Sequence, residues 1–112
     1  MKIIKVSETN IKETPHKIDV RELYDKDTAQ AIHIKLMPGE SLKPHKTPVD
    51  VFFYILEGTP EILVGNNKQI VNKDCLVDSP KNITHCISNN SDEEVRVLVV
   101  KAPKPITKTI LL

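Results

Sequence analysis

An all-β chain is what this sequence predicts, and three observations predict it. Eight prolines punctuate the 112 residues, leaving little room for helices. Between them lie short runs rich in Val, Ile and Leu, one of them apolar at every second position. Clusters of Gly, Asn, Asp, Ser and Pro separate those runs. Many short strands joined by turns mean a β-sandwich or a barrel.

The strands follow in order. The N-terminal Ile3-Ile4-Lys5-Val6 reads as a short strand able to pair at an edge. Val20-Arg21-Glu22-Leu23-Tyr24 is the one helical candidate, about a turn and a half. Ala31 to Leu36 alternates, with Ile32, Ile34 and Leu36 on one face. Val51 to Leu56 is apolar throughout, as in a strand buried on both faces. Glu61–Val64 and Lys68–Val71 flank Gly65-Asn66-Asn67, a hairpin signal. Cys75-Leu76-Val77 starts a further strand with Cys75 expected in the core, and His85–Ser88 makes the next. Glu94 to Lys101 holds five aliphatic residues and predicts a central strand. The lysine-bearing tail ends Ile110-Leu111-Leu112, expected as a final strand or as an arm on a partner subunit.

Composition narrows the function. One domain, residues 1–112, is expected from the length. The net charge of +1 supplies no field for nucleic acid or an acidic membrane. Three glycines leave no dinucleotide fingerprint and no phosphate loop. Two cysteines, Cys75 and Cys86, make neither a disulfide framework nor a Cys-rich zinc site. No apolar run reaches the ~20 residues of a membrane span, and no export signal is visible. A cytoplasmic protein with reduced thiols is expected.

The most specific signal is spacing. Gly39 is followed by five residues and His45, then Thr47, Val51 and Gly58. Downstream stand Asp74, Pro80, Asn82, His85 and Asn89. These two stretches resemble the first and second motifs of the cupin family, G-x5-H-x-H-x3,4-E-x6-G and G-x5-P-x-G-x2-H-x3-N. The resemblance covers about residues 30 to 101 and implies a double-stranded β-helix, a jelly roll with its site inside the barrel. It also implies which positions hold a metal in metal-binding members: two histidines and a glutamate from the first motif, one histidine from the second. Here His45 and His85 fill two of these positions. Thr47 replaces the other histidine and Val51 the glutamate. Asp74 and Asn82 replace glycines, which Asn tolerates at a turn because it accepts positive φ.

A divalent ion takes three or four protein ligands. His45 and His85 supply two, and Asp50 is the nearest replacement carboxylate. Alternation turns Asp50 away from the barrel unless a bulge after Pro48 rotates it inward. The expected site is a small-molecule pocket built on His45, His85 and Thr47 and lined by Val51 and Phe53. His33, between Ile32 and Ile34, is expected to face away. His16 follows Pro15 in a loop, either solvated or a third nitrogen at the barrel mouth. Cys86 is expected to face out of the pocket.

Two functions follow. One is a binding cupin that holds a small polar or carboxylate-bearing molecule. The other is a metal-dependent cupin enzyme of the dioxygenase or sugar-isomerase type, using iron, manganese, nickel or zinc at a two-histidine site. Exposed sheet edges and the two terminal segments suggest a homodimer.

Overall fold

The computed structural model describes residues 1–106 and 110–111. Ten strands form in chain order: β1 (Asp19–Lys26), β2 (Ala29–Leu36), β3 (His45–Lys46), β4 (Val51–Glu57), β5 (Glu61–Val64), β6 (Asn67–Ile70), β7 (Leu76–Ser79), β8 (His85–Ser88), β9 (Val95–Lys101) and β10 (Ile110–Leu111). They make two five-stranded sheets, β1-β2-β9-β4-β7 and β10-β3-β8-β5-β6, with every pairing antiparallel. The facing surfaces enclose one core of Ile34, Leu36, Phe53, Ile55, Ile87, Val95 and Val97 with their neighbours. Among the described residues, no helix is long and apolar enough to cross a membrane.

Alternation along the strands builds that core. In β9, Val95, Val97 and Val99 are buried, whereas Arg96, Leu98 and Val100 are half-buried on the outer face. This strand lies at the centre of its sheet, between β2 and β4. In β4, Val51, Phe53 and Ile55 point inward and Phe52, Tyr54 and Leu56 are half-buried outside. The run from Val51 to Leu56 is therefore fully buried on one face only.

Several expectations change. Residues 20–24 form strand, not helix: Val20 pairs with Ile34, and the register shifts between Glu22 and Tyr24. A β-bulge, not a helical turn, accounts for the three-residue spacing of Val20 and Leu23. The N-terminal segment makes no strand; it ends in a short 3-10 turn, Val6–Glu8, and leaves Ile3 and Ile4 exposed. The Arg21 guanidinium ties this arm down by donating to the carbonyls of Val6 and Thr9 at 2.9 and 3.1 Å. Cys75 is exposed on the turn before β7, outside the core. In the tail, Ile110 and Leu111 pair with Lys46 and His45 of the same chain. Leu112 lies outside the described residues.

The turns follow the motif positions. Asp74 and Asn82 both take positive φ, 65° and 62°, where the cupin motif places glycine. Asn89, 0% exposed, clamps the β8–β9 connection. Its amide donates to the Leu36 and Glu93 carbonyls at 2.9 and 2.7 Å, and its oxygen accepts from the Ser91 N–H and hydroxyl. Gly58 has φ +82°, and a Cβ there would stand 2.5 Å from the Glu94 carbonyl oxygen.

Two substitutions test this frame by urea denaturation. Asn89→Ala is expected to cost about 1–3 kcal/mol, because buried backbone groups lose their partners. Gly58→Ala is expected to lose about 1–3 kcal/mol from the left-handed backbone alone, with the backbone clash added. Wild-type midpoints would contradict the described turns.

Candidate functional site

The barrel interior opens at one end into a cavity of about 210 Å³. Its wall is apolar, formed by Val20, Ile32, Ile34, Val51, Phe53 and Val99 among others. Five basic side chains also line it: Lys12, His16, His45, His85 and Lys101. Among the described residues no aspartate or glutamate does.

Strand pairing places the two motif histidines. β3 touches β8 through a single ladder pair, His45 opposite His85. Their rings meet edge to face with centroids 4.5 Å apart, and Phe53 packs edgewise on His85 at 5.2 Å. The two Nε2 atoms are 3.1 Å apart.

Hydrogen bonds assign the tautomers. His45 Nδ1 lies 2.7 Å from the Lys43 carbonyl oxygen, which only accepts, so His45 carries a proton on Nδ1. Neutral His45 then presents a lone pair at Nε2, and the donor in the contact between the rings is His85 Nε2–H. His85 Nδ1 in turn accepts from the buried Ser79 hydroxyl at 2.7 Å. His16 completes the group: its Nδ1 accepts from the Lys43 backbone N–H at 2.9 Å, so neutral His16 points Nε2–H elsewhere. Its ring centroid is 5.1 Å from that of His45.

Burial keeps these rings uncharged. It pushes His85 down to about 3, with the His45 and Lys101 charges acting the same way. It pushes His16 down to about 4, again helped by His45, Lys43 and Lys101. His45 is lowered too, chiefly by burial, although its bond to the Lys43 carbonyl opposes the shift. Burial also lowers Lys101, with Lys12 adding to the effect and Glu22 opposing it.

The remaining predicted residues fall in different places. Val51 and Phe53 form part of the cavity wall. Thr47 is buried behind His85, its Oγ1 3.3 Å from His85 Nε2, and is not part of the cavity wall. Asp50 is exposed outside the barrel, where its Oδ1 accepts from the Lys81 N–H at 3.0 Å. No bulge turns it inward, so it is removed from the candidate ligands. Cys86 is buried and borders the cavity, while its Sγ donates to the Leu42 carbonyl at 3.0 Å. His33 faces away from the cavity but is buried, its Nε2 accepting from Arg96 Nε at 3.0 Å.

Lys12, on the loop before β1, and Lys101 and Gln30, on strands, line the cavity without carrying a motif signal. The strand pair was legible. Both sit in period with the apolar interior positions: Lys101 after Val95, Val97 and Val99, Gln30 before Ile32, Ile34 and Leu36. They pair across β2 and β9. That continued alternation was the available signal. Beside them Glu22 accepts from Gln30 Nε2 at 2.8 Å and from Lys12 Nζ at 3.1 Å.

The donor set does not fit a resident divalent ion. Among the described residues, no group of three or more His, Cys, Asp or Glu side chains is arranged to hold one. Val51 has no donor and His16 Nδ1 is occupied by a backbone N–H, which leaves two donors, the Nε2 atoms of His45 and His85 at 3.1 Å from each other, short of the three or four that a divalent ion takes.

An all-β jelly roll with a polar group set inside one end of its barrel defines the class of protein. The family description "Cupin domain" matches residues 32–101, and the chain belongs to that family. Solved structures agree on the fold. TT1209 of Thermus thermophilus superposes with a TM-score of 0.80 at 24% identity, over 94% of this chain and 100% of that one. The polyketide cyclase RemF of Streptomyces resistomycificus gives 0.85 at 17%, over 100% and 85%. An uncharacterized conserved protein with a double-stranded beta-helix domain from Klebsiella pneumoniae gives 0.83 at 16%, over 99% and 96%. No curated protein matches.

The lowered histidines link stability to pH. Unfolded histidine titrates near its reference value of about 6.5, while His16 and His85 in the fold titrate at about 4 and about 3. Between those values the unfolded chain binds more protons, so stability is fully present above about 6.5 and falls as the pH drops toward 3. Denaturation midpoints measured from pH 7.5 to 4 are expected to decline across that window. A flat profile would show that the rings are not held neutral. Ser79→Ala is expected to cost about 1–3 kcal/mol by leaving His85 Nδ1 without its donor.

Proposed function

We propose that this cupin binds a small carboxylate-bearing molecule inside its barrel, without redox chemistry. The observation that carries the reading is the cavity's lining: among the described residues two lysines and three neutral imidazoles line it and no carboxylate does. An anion entering there meets Lys12, which shares its charge with Glu22, and the free His16 Nε2–H, and charge-assisted hydrogen bonds are the stronger kind. His45, His85 and His16 supply the polar wall, with Thr47 holding His85 from behind. Val51 and Phe53 cover the ligand's apolar body. A volume of about 210 Å³ suits a small metabolite, below the ~300–1,000 Å³ of pockets for drug-sized ligands.

Thermal unfolding with lactate and benzoate, each against its amide, tests the reading. The acids are expected to stabilise the protein and the amides are not. At a hundredfold excess over Kd the gain is about 2.7 kcal/mol. Binding is expected to stay level from pH 8 to 6, because the buried rings remain neutral across that range and only begin to charge as the pH falls toward 4. His16→Ala and His45→Gln are expected to weaken it. Equal responses to acid and amide would overturn the reading. Stoichiometric iron, manganese, nickel or zinc that disappears in the His45→Ala, His85→Ala double variant would replace it with a metal-dependent enzyme.

The reading includes a homodimer. Ile3 and Ile4 on the N-terminal arm and Leu76 on the β7 edge are exposed apolar side chains, and edge strands invite pairing. Light scattering is expected to give twice the chain mass; a monomer at micromolar concentration would contradict it.

A further inference from the structure

Two lysines line the barrel cavity, and they are held differently. Lys12 Nζ is 3.1 Å from Glu22 Oε2, an ion pair at the mouth. Lys101 enters from the interior face of β9, where its neighbours across the sheet are Gln30 and Val51. Among the described residues its Nζ makes no ion pair and no hydrogen bond. Glu22, the nearest carboxylate by its influence, is already engaged by Lys12 and Gln30. Nothing in the wall therefore locks Lys101 as an ammonium. An amine in such a place is a nucleophile, since desolvation and a neighbouring cation activate lysine toward carbonyl groups. The direction of its titration, lowered by burial and by Lys12, agrees with the geometry.

We propose that Lys101 forms a reversible imine with the carbonyl carbon of a small oxo acid whose carboxylate is held by Lys12 and His16. This rests on the carboxylate reading and names the substrate class for it. The division of labour follows from the placement. The ion-paired lysine at the mouth and the His16 Nε2–H suit the permanent charge. The unpaired amine deeper along the wall suits the electrophile.

The step balances without a further reactant. The Nζ lone pair of the neutral amine forms the C–N bond, the carbonyl π pair moves to oxygen, and one nitrogen proton passes to that oxygen to give a carbinolamine. The nitrogen lone pair then expels the hydroxyl, which leaves as water with the second nitrogen proton, giving a neutral C=N bond and no net oxidation. Hydrolysis reverses it. The imine draws electrons from the adjacent carbon, which is the usual use of a lysine Schiff base.

The test is reductive trapping on the full-length chain with pyruvate and sodium cyanoborohydride, followed by peptide mapping. A reduced pyruvate adduct is expected on Lys101, about tenfold or more above any other lysine, as an activated amine requires. Because the mapping uses the unaltered chain, it does not depend on any variant folding. In Lys101→Arg, checked by circular dichroism, the specific adduct is expected to vanish and not to move to Lys12. In parallel, pyruvate and its hydroxy analogue lactate are compared by thermal unfolding. If both stabilise equally and labelling is spread over surface lysines, the imine is overturned and carboxylate binding stands. If neither stabilises and Lys101 is unlabelled, both proposals fall.

Discussion

The contact between His45 and His85 is the interaction on which the site depends. It is also the only ladder pair that joins β3 to β8. A short strand of two residues is thereby positioned by its side chain as much as by its backbone. The chain of bonds runs from the Lys43 carbonyl through both rings to the Ser79 hydroxyl, and each member leaves the next one role. Such a relay specifies geometry because any wrong tautomer strands a buried polar atom. Protonating both rings would set two like charges a few ångströms apart, a repulsion of about 4 kcal/mol even at an effective dielectric of 20. Neutral rings are the stable answer.

The two replaced motif positions explain why that answer prevails. A glutamate at position 51 would have put a counter-charge beside the rings and favoured their protonated forms or a bound cation. Val51 removes it. Thr47 keeps a hydrogen-bonding group behind His85 but adds no charge. The basic character of the pocket is then carried by its lysines, and the imidazoles act as a polar wall between the apolar core and the mouth. The same sheet alternation that packs Val95, Val97 and Val99 into the core delivers Lys101 to the cavity one step further on. Core packing and site chemistry share one strand.

Much of this was legible in the residues. The spacing from Gly39 to Gly58 and from Asp74 to Asn89 pointed to the barrel and to both motif histidines, because turns and ligand positions recur at set intervals along a jelly roll. Positive φ at Asp74 and Asn82 followed from the glycines they replace. The misreadings have local causes. A bulge at Leu23 mimics helical spacing, and no periodicity rule separates the two over five residues. Cys75 is apolar enough for a core, yet it falls on a turn whose geometry is set by Asp74. His16 reaches His45 through a loop, and loop paths carry no period. Lys101 was the avoidable omission: its alternation was visible, but a terminal lysine reads as solvent-facing by type.

The sharpest check on the central claim is nitrogen NMR of the histidine rings at neutral pH. The account predicts His45 as the Nδ1–H tautomer, His85 and His16 as Nε2–H tautomers, and no protonation of His85 down to pH 5. An Nε2–H tautomer at His45, or a His85 ring that titrates near its ordinary value, would contradict it.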